Sequence, residues 1–385
     1  MSTKIRWAVL LCKCKGVADR NDIKQYFVNF FTEGLFGAVD YWHDISFLEL
    51  DLRESAVFGW FELPVTSEEI KRTRRSDAIN MAINTATNSN NGIADFNPKI
   101  VFISEPFIGM NITEGGQQGA GSSGGQVIID LGVLRASFIL HEMGHGHGLN
   151  HSLFLDGTHY GSPYCLMSAE QYGNTDPRYN DPRFGLSGPR LCSPYTYKAG
   201  WLPELNLIRI QCNGKRPLPT TCILPTFRFN DSVVPQVAVI DFDTPQKLSY
   251  FIEYRRADAK DGWDRGLQQD AIAIHQWRPD GFAYYVGKIG TSTVFNGNPF
   301  GDGTVVPAEK IYIDAKFDLS IEVISVSDSD GTIEIRIAPA AAVQTLSVLK
   351  ITKEKLGIMP EFSIKNQVLQ NGRKSLRDSL VELLA

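Results

Sequence analysis

Residues 141–151 read His-Glu-Met-Gly-His-Gly-His-Gly-Leu-Asn-His, and this run sets a condition on the backbone. His141 and His145 are four apart, so on a helix they share one face, one turn from each other. Two imidazoles so placed can fill two corners of a zinc tetrahedron. His151 follows six residues later. In a continuing helix it would lie about 9 Å further along the axis, at 1.5 Å per residue, too far to share an ion. The helix therefore has to stop between the second and third histidines. Gly148 supplies the stop, because glycine accepts the left-handed conformation that ends a helix and turns the chain back. The spacing makes geometric sense when all three histidines converge on one metal ion.

Glu142 directly follows the first candidate ligand and can lean toward the open fourth position. A zinc ion there lowers the pKa of a water toward about 7. Glu142 is placed to take the proton and pass it to a leaving amine. The short pattern His-Glu-x-x-His arises by chance in unrelated chains; the long form, with a glycine and a third histidine in place, is far rarer. His147 lies about 200° around the helix from His145, so it points away from the ion and reads as structural. His43, His159 and His275 stand alone in the sequence and read as satisfied core or surface residues. Asp130, just before the site helix, reads as its cap, with orientation of a ligand imidazole as the other role open to it.

At 385 residues the chain suits two domains and a tail. Its apolar residues (43%) and charged residues (21%) are those of a globular protein with a sizeable core. A net charge of -5 gives no clustered basic face for nucleic acid or an anionic membrane. The short basic cluster Lys71 to Arg75 reads as a solvated helix face. No apolar run is long enough to span a membrane. The run Trp7 to Leu11 is too short for a secretory leader and reads as a first strand. Of six cysteines, Cys12 and Cys14 read as buried thiols. Cys212 with Cys222, and Cys165 with Cys192, read equally as disulfides or as reduced thiols, so the compartment stays open.

Along the chain, residues 4–14 predict a strand, Asp22 to Phe31 a helix, and the alternation over 45–52 a half-buried strand. A capping box, Thr66 with Glu69, predicts a helix carrying Ile70, Ala78, Ile79, Ala82, Ile83 and Ala86 on its apolar stripe, stopped at Asn88 to Gly92. Ile100 to Ser104 and Gln126 to Asp130 predict strands around a glycine-rich loop, Gly115 to Gly125. That loop lacks phosphate-binding spacing and reads as a mobile loop beside the cleft. Helix is predicted from Leu134. This mixture is an α/β or α+β pattern. From Leu205 strand-like runs dominate: 205–211, 236–241, 248–254, 271–277, 310–313, 319–326 and 332–337. Residues 341–385 read as a tail ending in an amphipathic helix, Ser375 to Ala385.

The chain resembles the metzincins, and within them the immune inhibitor A and gametolysin-like metallopeptidases. The long histidine motif carries the resemblance, together with Tyr164-Cys165-Leu166-Met167-Ser168, which looks like the metzincin Met-turn. Looser support comes from Val39 to Ser46 with Gly59 to Pro64, from Lys198 to Leu202, and from Tyr250 to Arg255 with Gly262-Trp263-Asp264. The likeness covers most of residues 1–340. It implies an α+β fold: a zincin-like catalytic domain over 1–204, with a twisted mixed sheet and an active-site helix, then a β-rich, sandwich-like region over 205–340. It implies a zinc-dependent endopeptidase with one catalytic zinc on His141, His145 and His151, Glu142 as general base, Met167 as a soft floor and Gly148 ending the helix. A protein or peptide substrate would add to an edge strand at or beside Gln126 to Asp130. Calcium in a loop such as Asn174 to Asp181 has no recognisable spacing behind it.

Two departures stand out. Ala169 occupies the place where some metzincins carry a tyrosine, and Tyr160, Tyr164 and Tyr172 are nearby substitutes. Relatives are secreted with a leader and often a propeptide, and neither is read here, so non-Sec export and an intracellular role both stay open. An inactive scaffold that binds proteins is disfavoured because Glu142 is kept with all three ligands. A hydrolase acting on a non-peptide amide or ester stays open, as does a glycan- or partner-binding role for the β-rich region.

Overall fold

The run Ala8-Val9-Leu10-Leu11-Cys12 is apolar at every position, which suits a strand covered on both faces. In the computed structural model, which describes residues 2–105, 120–123, 125–168, 177–214, 216–228, 234–242, 247–257, 262–267, 269–290, 304–306, 311–327 and 329–340, that run is part of the strand Ala8–Lys13. It lies between the parallel strands Ala56–Glu62 and Lys99–Ile103. Gln126–Asp130 continues the sheet in parallel, and Ala120–Ser123 closes it as an antiparallel edge. Side chains alternate with period two. Val9, Leu11, Ile100, Phe102, Val127 and Ile129 pack with the helices Asn21–Phe30 and Ala136–Gly146. Leu10, Cys12, Val101, Ile103 and Ile128 pack on Ala78, Ile79, Ala82 and Ala86 of the helix Arg75–Ser89. The fold is mixed α and β.

Three local expectations are corrected. Residues 45–52 are not a strand: Ala38–Ile45 is a helix, Phe47 and Leu48 turn with φ of 53° and 66°, and only Leu50–Asp51 is extended. Ala38, Val39, Tyr41, Trp42 and Ile45 are buried at helical spacing, and that upstream stripe captures Ile45. The Thr66–Glu69 capping box forms, yet its helix is one turn long, Ser67–Ile70, and Arg75–Ser89 starts anew. Lys71, Arg72, Arg74 and Arg75 would stack like charges three and four apart in a continuous helix, which disfavours it; the basic cluster marks this break. Ala120–Ser123, expected as loop, is the edge strand, while 115–119 and 124 lie outside the described residues.

After this first half, two sheets face each other. One runs Leu207–Ile210, Val237–Asp241, Ser249–Arg255, Ala271–Trp277, Ala283–Gly290, then Leu153–Phe154 at its end. The other runs Thr220–Pro225, Thr332–Ala338, Leu319–Ser327, Ile311–Asp314, Thr304–Val306. Ala238, Ile240, Ile252, Ile272 and Ile274 of the first share a core with Leu224, Ile321, Ile333, Ile335 and Ile337 of the second. The strands at 220–225, 283–290 and 304–306 were not anticipated. Residues 1–340 form one compact unit; the tail from 341, with its expected helix, lies outside the described residues.

A buried ion cluster joins the sheet to the first half. Glu253, Arg255 and Asp264 are each fully buried. Arg255 donates twice to Asp264 (Nε to Oδ2 2.6 Å, Nη2 to Oδ1 2.6 Å). Its Nη1 reaches Glu253 Oε1 at 3.1 Å and the carbonyl of Tyr164 at 2.7 Å. Glu253 Oε2 accepts from Ser193 N at 2.8 Å, and Asp264 Oδ1 from Arg190 N at 3.1 Å. Arg190 in turn donates to Asp44 at 3.0 Å, which also accepts from the Trp263 indole at 2.6 Å. Burial pushes the Glu253 carboxyl up, and Arg255 pulls it back. Removing one partner of such a cluster strands a charge away from water. Asp264→Ala should therefore cost about 3–5 kcal/mol in urea unfolding, and Asp241→Ala, in the exposed pair with Arg209, much less. Equal effects would refute an anchoring role for Asp264.

Candidate metal centre

The site helix Ala136–Gly146 is driven inward by Ala136, Phe138, Ile139, Leu140 and Met143, all buried. Its first N–H is taken by the carbonyl of Phe184 at 3.0 Å. Asp130 does not cap it. The Asp130 side chain accepts from Gly132 N at 2.7 Å and caps the 3-10 turn Leu131–Val133 that comes first.

At the other end, Gly148 N–H reaches the carbonyl of His145 (2.9 Å) and Leu149 N–H that of Gly144 (3.0 Å). Gly148 has φ of +80°. This is the Schellman pattern, in which a left-handed residue reverses the chain and satisfies the last carbonyls. The reversal also aims the Leu149 carbonyl back at the helix, where it faces His145 Nδ1 at 2.8 Å.

His151 is then fixed by its surroundings. Its carbonyl accepts from Tyr195 Oη at 2.7 Å, and the next N–H, of Ser152, donates to the carbonyl of Met167 at 3.0 Å. Met167 is fully buried. Its Sδ lies so close to Gly144 that a Cβ there would stand 2.5 Å away, so the turn at Met167 packs on the helix between His141 and His145. Leu166, one residue earlier, offers its carbonyl to His141 Nδ1 at 2.9 Å.

The three histidines come together: one ligand nitrogen from each lies within 4.8 Å of the others. A carbonyl oxygen only accepts, so the Nδ1 atoms of His141 and His145 carry the protons and each Nε2 presents a lone pair. Nε2 of His145 and Nε2 of His151 are 3.0 Å apart. Two nitrogens on a tetrahedral zinc at 2.0–2.1 Å stand about 3.3 Å apart. The pair thus needs little movement to hold an ion. The donor set fits zinc. Glu142 is 9% exposed; burial raises the phenol of Tyr160, and the nearby Glu142 adds to it.

Other residues fall as follows. His147 points away, into Trp7, Trp42 and Trp201, and burial lowers it to about 4. His275 is buried beside Ser162 (2.8 Å), and His43 lies in the last turn of the helix Ala38–Ile45. His159 is not isolated: its Nδ1 is 2.8 Å from Nδ1 of His151. The clue was Asp156-Gly157, a hairpin-turn pair that folds residue 159 back on residue 153. Of the tyrosines, Tyr160 has its ring 4.5 Å from that of His151 and 6.4 Å from that of His141. Tyr164 is buried against Tyr285 and Arg255, while Ala169 and Tyr172 lie outside the described residues. All six cysteines are thiols, with Cys165 Sγ accepting from Cys192 N at 3.4 Å. Among the described residues no group of three or more carboxylates gathers as a candidate cation site. Asp181, at the end of the proposed loop, is bound by Arg183 instead. Among the described residues no helix is long and apolar enough to cross a membrane.

Searches of the chain against family models, curated proteins and solved structures return no match.

Metal binding needs neutral imidazoles. Burial lowers His145, lowers His141 strongly with help from its two neighbours, and lowers His151 to about 3. The shifts favour the neutral form of each ring as pH falls through 6.5. Zinc affinity of the apo protein, measured by chelator competition, should therefore fall less between pH 7.5 and 6.0 than three ordinary histidines would allow. Three ordinary histidines would lose roughly fifty-fold over that interval, and such a loss would show that burial does not protect the site.

Proposed function

We propose that the chain is a zinc-dependent endopeptidase of the metzincin type. The observation that carries the reading is the convergence of His141, His145 and His151, two from one helix and the third delivered by the turn at Gly148. Bound zinc supplies an acidified water and a Lewis acid for the scissile carbonyl. Glu142, one residue after the first ligand, takes the proton of the attacking water and returns it to the leaving amine. Leu166 and Leu149 hold His141 and His145 in the tautomer that leaves Nε2 free. Met167 floors the site against Gly144.

Substrate placement follows from the sheet. Ala120–Ser123 pairs on one side with Gln126–Asp130 and on the other with no described strand. An extended peptide can add there, since main-chain hydrogen bonds give affinity without demanding a particular sequence. The site helix packs beneath this edge and the adjoining strand.

The deciding experiment is cleavage of denatured casein by wild type and Glu142→Ala, with zinc content measured on both. Glu142→Ala should keep its zinc and fold and lose about 10²–10⁴-fold in turnover. Zinc in both with cleavage by neither would favour the binding-scaffold reading. His151→Ala should weaken zinc binding by more than about 100-fold, beyond the usual cost of losing an outer partner. Full zinc binding and activity in that variant would refute the three-histidine site.

A further inference from the structure

The three candidate ligands are not held alike. His141 and His145 turn Nδ1 onto main-chain carbonyls, Leu166 O and Leu149 O. His151 turns Nδ1 onto another side chain, Nδ1 of His159 at 2.8 Å, with the two rings nearly perpendicular at 77°.

His159 reaches this place through a small hairpin. Phe154 N–H donates to the carbonyl of Thr158 and Gly157 N–H to that of Phe154. Gly157 takes φ of +88°, and the Asp156 carboxylate accepts from Thr158 N at 2.8 Å. Gly161 closes the hairpin so tightly that a Cβ would meet the Leu153 and Phe154 backbone at 2.3–2.4 Å. Residues 153 and 159 face each other as a β-bridge. The hairpin is itself anchored, because Leu153 and Phe154 pair with Tyr284 and Tyr285 of the large sheet.

We propose that His159 is a positioning residue for the third ligand, setting both the tautomer and the orientation of His151. The proton assignment follows from the geometry. His145 presents a lone pair at Nε2, and His151 Nε2 faces it at 3.0 Å. With an ion between them, His151 also presents a lone pair there, so its proton sits on Nδ1. That N–H donates to Nδ1 of His159, which accepts, and His159 keeps its own proton on Nε2. One proton is shared across the contact and both rings are neutral. Partners of this kind fix a ligand's ring and raise its basicity, and losing one costs about 10–100-fold in metal affinity.

The role rests on the three-histidine site proposed above, and the test separates the two. Zinc affinity is measured by chelator competition for wild type, His159→Ala and His159→Asn, with thermal unfolding of each apo protein as the check on folding. An asparagine Oδ1 can stand where Nδ1 of His159 stands and accept the same proton. His159→Ala should bind zinc about 10–100-fold more weakly, and His159→Asn should recover most of the loss. Should the alanine variant not fold, His159→Phe keeps the ring without the acceptor and should show the same loss. Wild-type affinity in His159→Ala, or equal weakness in the Ala and Asn variants, would overturn the role while leaving the site intact. A wild type that binds no zinc would overturn the site and this role together.

Discussion

Arg255 is a cation with no exposed surface, and the structure is arranged around neutralising it. Taking a guanidinium out of water is repaid only by close, multiple partners. Here they are two carboxylates, Asp264 and Glu253, and the main-chain carbonyl of Tyr164. Each belongs to a different neighbourhood. Glu253 also receives the helix Ser193–Lys198, whose Tyr195 holds the carbonyl of His151. Tyr164 begins the turn that carries Leu166 and Met167 under the histidines. A charge on the large sheet thereby fixes the floor of the three-histidine cluster. The β-rich half supports the site and is not an appendage to it.

The candidate metal centre shows a second economy. Its two helical histidines are oriented by atoms the backbone must place somewhere in any case. Leu149 O is aimed by the same reversal that ends the helix, and Leu166 O by the turn that brings Met167 under Gly144. Only His151, which lies beyond the helix, needs an outer partner supplied by another side chain. Burial lowers all three imidazoles, which favours the neutral form that a cation would need.

Much of this was legible in the sequence where one local rule governs. The three-histidine spacing required a break, and Gly148 provides it at φ of +80°. The long strand runs after residue 205 were readable because each is apolar, β-branched and bounded by turn residues. The misreadings arose where two local signals overlapped. Ile45 ends a helical stripe and also opens an alternating one, and burial of Trp42 and Tyr41 decided for the helix. Thr66 and Glu69 announced a helix start correctly, but the cations after Ile70 cut it short. His159 was missed because its meaning depends on a contact across a hairpin, and Asp130 because a 3-10 turn intervenes between it and the site helix. Nothing local in the sequence foretells the Arg255 cluster, whose members are drawn from residues 44 to 264.

The pairing of Leu153 and Phe154 with Tyr284 and Tyr285 has a bearing on the order of events during synthesis. All three histidines leave the ribosome more than a hundred residues before the strand that secures their hairpin, and before Arg255 can reach Tyr164. The helix can form early, since its contacts are near in sequence. Final placement of His151 waits on a closure of long range, which is slow because loop entropy is lost before the contact is gained. Whatever reactivity resides in this site, the nascent chain acquires it only once nearly all of the folded body exists.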